Sequence, residues 1–193
     1  GAWYEYDVAT HVLTARNERV WWVRDTAGRY WAMRFLDYYD ATGTSGVPTF
    51  EWRAVEGPAE WTAPSSILDD SLPEVPEGAV RIDGKENWAY LRFGAGAIAT
   101  PSNAAASLDW DLAVNVSLIR TNGGTSGPGL GAAATVSGSV SGSVEEPDLG
   151  GLSWVEDVEL DAPGDSGEAT YSGSPVFHDA WYDYDAGTGR LLP

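Results

Sequence analysis

Residues 29–39 constrain the fold more than any other stretch, because they run through aromatic and aliphatic side chains without a glycine or a proline. Side chains alternate between the two faces of a strand, so Tyr30 lies on one face and Trp31 and Met33 lie on the other. Both faces therefore carry large apolar groups. Such a strand is either buried on both sides or presents one face to a site.

Segments of the same kind recur along the chain and are separated by turn residues. Gly28 ends one such turn, where a glycine is free to take a positive φ. Long helical patterns are absent, so the sequence predicts an all-β fold of antiparallel sheets, with a meander of hairpin connections and little helix. The predicted strands are 2–7, 20–24, 29–39, 47–55, 80–83, 88–93, 112–119, 154–160 and 180–185. Residues 129–144 are either a weak strand or a loop, and 161–175 form a loop.

The charge balance excludes two classes of partner. The chain has 29 acidic and 11 basic residues, for a formal net charge of −18. Such a surface repels nucleic acids and anionic membranes.

The chain has no cysteine, which excludes disulfides, thiolate catalysis and cysteine zinc sites. No apolar run has the length of a membrane helix, so we expect no transmembrane segment.

The composition divides the chain into three parts. Residues 1–56 form an aromatic β-meander, and 79–193 form a second β-rich region. Residues 57–78, rich in proline and acidic residues, read as a surface linker with a possible short helix at 65–70. The second region is organised around 108–127, where an apolar strand runs into a glycine-containing loop.

The two ends of the chain resemble each other. Residues 180–193 match 2–15 at seven of the fourteen aligned positions, namely Ala, Trp, Tyr, Tyr, Asp, Thr and Leu. This similarity predicts one period of a tandem array, cut out of phase. Two arrangements follow from it. Residues 1–56 either fold back onto 79–193 as a permuted domain or complete the sheet of a neighbouring chain by strand addition.

Several motifs resemble those of HmuY-type haem-binding proteins. The first half of that family is similar to Asn-Trp-Ala-Tyr-Leu-Arg-Phe at 87–93, Asp-Trp-Asp-Leu-Ala at 109–113, Arg-Thr-Asn-Gly-Gly-Thr-Ser-Gly at 120–127 and Gly-Leu-Gly-Ala-Ala at 129–133. The second half is similar to 2–6, 20–40 and 49–52. The halves stand here in reversed order, and the phase shift of the terminal repeat explains that order.

The resemblance implies an HmuY-like β-sandwich or meander in a secreted or outer-membrane-associated bacterial protein that binds and does not catalyse. It also implies haem, which the best-known member holds between two axial histidines. Here the position that matches one of those histidines is Val8, or Ala186 in the second copy, and His11 lies three residues beyond Val8. The region that would match the other, 140–170, contains no histidine.

The candidate haem ligands are therefore the two histidines of the chain, His11 and His178, with Met33, the single methionine, as an alternative. Trp22, Tyr30 and Trp31 could line a flat apolar ligand. The competing interpretations are structural: surface or turn histidines, a core methionine and packed aromatic residues.

For other polar residues the sequence gives less support to a functional interpretation. The carboxylates of Asp37, Asp40, Asp183 and Asp185 could bind Ca²⁺ through oxygen ligands, or they could be solvated loop acids. Asp111 is expected to make a hydrogen bond at the start of its strand, and 120–124 to form a structural turn.

No catalytic motif is present in the sequence, so we expect no enzymatic activity. The leading prediction is a haem-binding protein of the cell surface or the extracellular space. The alternative is a structural subunit that self-associates by strand complementation through its aromatic terminal strands, 2–7 and 180–185.

Overall fold

A computed structural model describes residues 3–7, 9–10, 12–17, 19–55, 59–60, 78–135, 143–144, 149–161, 170–178, 183–185 and 190–192. It is 47% strand and 5% helical, and the sheets are antiparallel, so the predicted all-β fold is confirmed.

Short connections join the first five strands of the chain. In chain order the strands are β1 (Tyr4–Asp7), β2 (Val12–Ala15), β3 (Trp21–Arg24), β4 (Tyr30–Tyr39), β5 (Ser45–Ala54), β6 (Ala59–Glu60), β7 (Ala79–Arg81), β8 (Ala89–Arg92), β9 (Ala97–Ala99), β10 (Leu112–Asn115), β11 (Leu118–Thr121), β12 (Ala132–Thr135), β13 (Ser143–Val144), β14 (Val158–Asp161), β15 (Thr170–Gly173), β16 (Asp183–Asp185) and β17 (Arg190–Leu192). Two single 3-10 turns, Phe93–Ala95 and Ala104–Ala106, are the helical elements of the described chain.

The central sheet has five strands in the order β12-β3-β4-β5-β7. Its middle is the predicted 20–55 meander, and both of its edges come from the second region of the chain. Thr135 of β12 pairs with Trp21, and Val80 of β7 pairs with Phe50. Strands β3–β5, from residues 1–56, thus share one sheet with β7 and β12, from residues 79–193, within a single chain.

A second sheet, in the order β11-β10-β8-β9, packs against the first. Side chains from both sheets enter one core, which buries Trp21, Met33 and Phe35 with Leu91 and Leu112. Burial of large apolar side chains is the main source of stability in such a fold.

The middle strands of the central sheet are buried on both faces. Trp21 and Trp31 face the shared core, whereas Trp22 and Ala32 lie in a second cluster that Trp154 helps to cover. Of the two interpretations open for 29–39, burial on both sides is the one that the structure shows.

Residues 112–119 were predicted as one strand, and this prediction is wrong. The chain folds back at Val116 and Ser117, so that β10 and β11 form a hairpin closed by the pair Asn115 and Leu118. Val116 has a φ of 51°, which is rare for a β-branched residue. The turn was missed because hairpin turns of this kind normally contain glycine, asparagine or aspartate.

Five further strands, β2, β6, β9, β15 and β17, were missed. The predicted loop 161–175 contains β15, which pairs with β14. Strand β2 pairs with β1 and was not predicted. Most of the 57–78 linker, including the possible helix at 65–70, lies outside the described residues.

The glycine-containing loop after β11 is a structural turn, as expected. Asn122 is fully buried, and its amide Nδ2 donates to the carbonyl oxygens of Ser107 and Trp110 at 2.9 and 2.8 Å. A Cβ atom on Gly123 would lie 2.0 Å from the carbonyl oxygen of Gly131. The close approach of the backbone therefore requires glycine there.

Asp111 makes the expected hydrogen bonds at the start of β10, and it joins three segments. Its Oδ1 accepts from the backbone N–H of Thr26 at 3.0 Å and from the Thr26 hydroxyl at 2.6 Å. Its Oδ2 accepts from the backbone N–H of Phe93 at 2.9 Å. One buried carboxylate thus connects the β3–β4 turn of the first sheet to two strands of the second.

We expect Asp111→Asn to lower the free energy of unfolding by about 1–3 kcal/mol, because an amide cannot accept from both Thr26 and Phe93. Urea unfolding followed by tryptophan fluorescence measures the change. Asp109→Asn is the matched control, since the side chain of Asp109 is 74% exposed and its loss should change stability by less than about 0.5 kcal/mol. Equal effects of the two variants would contradict the bridging role of Asp111.

Candidate functional site

The terminal repeat folds into two hairpins of the same register. In both copies the strands are joined by four residues, 8–11 in the first and 186–189 in the second. The equivalent cross-strand pairs are Glu5–Thr14, Tyr6–Leu13 and Asp7–Val12 in β1–β2, and Asp183–Leu192, Tyr184–Leu191 and Asp185–Arg190 in β16–β17. The similarity between the ends of the sequence is therefore also a similarity of backbone pairing.

The first hairpin is attached to the domain through Trp3. Its side chain is 0% exposed, and its ring stacks on Phe35 with the centroids 4.5 Å apart and the planes at 26°. Tyr38 lies against the same ring at 5.6 Å. The indole Nε1 donates to the carbonyl oxygen of Ser117 in the β10–β11 turn at 3.3 Å. Trp3 thus contacts both sheets.

The second strand of this hairpin adds a hydrogen bond and an apolar contact. The backbone N–H of Leu13 donates to the hydroxyl of Tyr39 at 2.9 Å, and the Leu13 side chain packs against the core. We call Phe35, Tyr38, Tyr39 and Ser117 the hairpin-binding surface.

A buried carboxylate holds this surface in place. Oδ1 of Asp37 accepts from the backbone N–H groups of Tyr38 and Tyr39 at 2.7 and 3.2 Å, where the pairing of β4 with β5 is irregular. Burial, followed by the neighbouring Tyr39, raises the pKa of the Tyr38 hydroxyl far above its usual value. The Tyr38 hydroxyl therefore remains neutral at physiological pH. The surface contacts the hairpin through aromatic rings and through the Tyr39 hydroxyl.

The predicted haem-binding residues are dispersed. Met33 and Trp31 lie in the shared core, and Trp22 lies on the opposite face of the central sheet. Tyr30 packs on Trp154, with the ring centroids 5.1 Å apart. His11 lies outside the described residues.

His178 lies in a different place, beside β15. Its ring meets Tyr171 edge-on, with the centroids 5.6 Å apart. Tyr171 in turn stacks on Trp88 at 6.5 Å, and the guanidinium carbon of Arg120 lies 3.6 Å from the centre of the Trp88 ring. His178 therefore belongs to an aromatic cluster with an arginine.

The described candidate haem residues lie in separate places, and His11 lies outside the described residues. The imidazole of His178 and the sulfur of Met33 belong to separate clusters, and the predicted aromatic residues lie on two faces of one sheet. Within the described ranges, no three His, Cys, Asp or Glu side chains come together as metal ligands. Asp37 and Asp40 therefore belong to no such group, whereas the side chains of Asp183 and Asp185 lie outside the described part of the structure.

Beside the His178 cluster, a buried carboxylate has an altered pKa. Asp157 is 2% exposed and accepts from the backbone N–H of Thr121 at 2.9 Å and from its hydroxyl at 2.6 Å. Burial raises the pKa of Asp157 to about 7, although the Thr121 hydrogen bonds lower it. The folded protein therefore holds this proton to a higher pH than the unfolded chain does.

Because of this difference, the free energy of unfolding should fall as the pH rises from about 4 to about 7, with a total contribution of up to about 4 kcal/mol. Asp157→Asn should flatten that slope. Urea unfolding at pH 4.5, 6 and 8 measures it. Glu159→Gln, at an exposed position of the adjacent strand, is the control and should keep the wild-type slope.

The sequence did not predict a functional role for Asp157 or for the residues of the hairpin-binding surface. The terminal repeat was the available signal, since Trp3 and Leu13 are two of its identical positions. For Asp157, one acidic residue among 29, the sequence offered no signal.

Comparisons of the chain with families of known proteins, with curated proteins and with solved structures find no match. The resemblance to HmuY-type proteins therefore rests on the quoted motifs alone. In the part of the chain that the structure describes, no helix has both the length and the apolarity needed to cross a membrane.

Proposed function

We propose that this protein is a non-catalytic assembly subunit whose copies associate through the terminal hairpins. One observation carries the proposal: β16–β17 has the register and loop length of β1–β2, a hairpin that docks on the domain. The chain thus has two hairpins of one type.

The energetics of small sheets support a partner for the second hairpin. An isolated two-stranded hairpin is marginally stable in water and needs a third strand or a packing surface. In the first hairpin, Trp3 and Leu13 supply that packing. Strands β16 and β17 form a two-stranded sheet, as β1 and β2 do, so we expect them to need packing of the same kind.

The charge of the chain sets the conditions for such association. Copies that each carry a formal charge of −18 repel one another, and salt screens that repulsion over a distance of about 10 Å at 0.1 M. Association through apolar and hydrogen-bonded contacts should therefore strengthen as the salt concentration rises. A contact made by opposite charges would weaken as the salt concentration rises.

Size-exclusion chromatography with light scattering in 0.05–0.5 M NaCl tests the proposal. We expect the wild type to associate with rising protein and salt concentration, and Leu191→Asp in β17 to lower the association constant at least tenfold. Leu191 is the residue that pairs with Tyr184 in the second hairpin. An aspartate there places a charge where the first hairpin has an apolar residue against the core.

The matched control is Ile98→Asp on β9, which adds the same charge to an edge strand at a residue that is 49% exposed. It should leave association unchanged if the hairpin is the contact. A monomeric wild type at all concentrations would contradict the proposal. Loss of association in Ile98→Asp alone would assign the contact to the β9 edge.

We propose an extracellular or cell-surface location, with haem as a possible ligand, on the strength of the resemblance to HmuY-type proteins. Haem binding through the described histidine predicts a Soret shift on titration with haemin at neutral pH, and loss of that shift in His178→Ala. Arg120→Lys, a change within the same cluster, is the control, because it leaves the imidazole in place. A shift that His178→Ala and His11→Ala together leave unchanged would exclude both histidines as ligands.

A further inference from the structure

We infer that the hairpin-binding surface accepts β16–β17 of a second copy in place of the chain's own β1–β2. The inference rests on the proposed function and names the partner and the contact surface. The interface is then directional, since a hairpin of one copy meets a different surface on the next. Such head-to-tail contacts build rings or open chains rather than only dimers.

The contacts that hold β1–β2 are of a kind that the second hairpin can repeat. One is the hydrogen bond from the backbone N–H of Leu13 to the hydroxyl of Tyr39, whose donor depends on the register of the strand and not on the Leu13 side chain. Leu191 stands at the same place in β17, opposite a tyrosine, as Leu13 does in β2. Its N–H can therefore occupy the same position.

Side chains that pack on the domain are also repeated in the second hairpin. The residues of β1–β2 that pack most closely on the domain include Trp3, Tyr4 and Leu13, and the repeat keeps all three residue types, with Trp181, Tyr182 and Leu191 at the matching positions.

Two of the differences fall on exposed positions. Glu5 and Thr14 are exposed, and Asp183 and Leu192 replace them. Glu5 forms an exposed ion pair with Arg16 at 3.5 Å, and such a pair contributes little to stability. The residue types are thus kept at Trp3, Tyr4 and Leu13, whereas Ala15, which also packs against the core, is replaced by Pro193.

The chain's own hairpin competes for the surface. It is covalently attached a few residues before β3, so its effective concentration at the surface is high, and a second copy has to displace it. A substitution that weakens β1–β2 alone should therefore increase association. A substitution that weakens both hairpins equally should not.

Leu13→Ala and Trp3→Ala weaken the first hairpin and leave the surface and the second hairpin intact. We expect Leu13→Ala to raise the association constant at least fivefold and Trp3→Ala to raise it further, because the cavity left by Trp3 admits the matching side chain of another copy. Leu13→Ala is the milder change and serves if Trp3→Ala fails to fold. Thr14→Ala, on the same strand at an exposed position, is the control and should have no effect.

A mixing experiment distinguishes this directional contact from hairpin-to-hairpin pairing. Leu13→Ala combined with Leu191→Asp makes a copy with an open surface and a disabled second hairpin. It should stay monomeric alone and should bind labelled wild type, measured by fluorescence anisotropy. Hairpin-to-hairpin pairing predicts no binding in that mixture, and such a result would overturn the inference.

The two proposals fail separately. Association that requires Leu191 but does not increase in Leu13→Ala or Trp3→Ala would contradict the role of the hairpin-binding surface. It would leave the assembly proposal standing. The absence of association in every variant, wild type included, would overturn both.

Discussion

Buried aspartate carboxylates hold the connections of this fold together. Asp111 accepts hydrogen bonds from Thr26 and Phe93 and so ties the first sheet to the second. Asp25 stabilises the β3–β4 turn. Its carboxylate accepts hydrogen bonds from the backbone N–H groups of Ala27 and Arg29 and from the indole of Trp31. Backbone N–H groups in turns have no strand partner, and leaving them unpaired in a protein interior is costly. Short acidic side chains satisfy several of them at once. The apolar core supplies the larger share of stability, but these carboxylates determine how the strands enter it.

Alternating apolar patterns made the strands predictable where each strand is long or ends at a clear turn. Residues 29–39 and 47–55 were placed within a few residues of β4 and β5 for this reason. The pattern failed at Val116, because period-two alternation continues through a turn that contains no glycine or asparagine. It failed again at β15, which is bounded by residues typical of loops. Turn position depends on tertiary contacts there, and a local pattern does not record them.

The candidate site was only partly accessible to sequence reasoning. The repeat showed that the terminal segments are of one kind, but it did not show that Trp3 reaches the β10–β11 turn. That contact depends on a hairpin that was predicted as a continuous strand. The haem interpretation was limited by the unknown positions of its residues in the sheet. Trp22 on β3 and Trp31 on β4 are close in sequence, yet they lie on opposite faces of the central sheet.

The pairing of β3 with β12 also bears on how the chain folds. These strands are neighbours in the central sheet but are separated by most of the described chain. Contacts between distant segments form slowly, because the entropy of closing a long loop is lost before the pairing energy is gained. During synthesis, the β3–β5 meander emerges well before its edge partner. A nascent chain therefore carries Trp22 and the N–H groups of β3 uncovered for that interval, and an open sheet edge of this kind is prone to pairing with other strands.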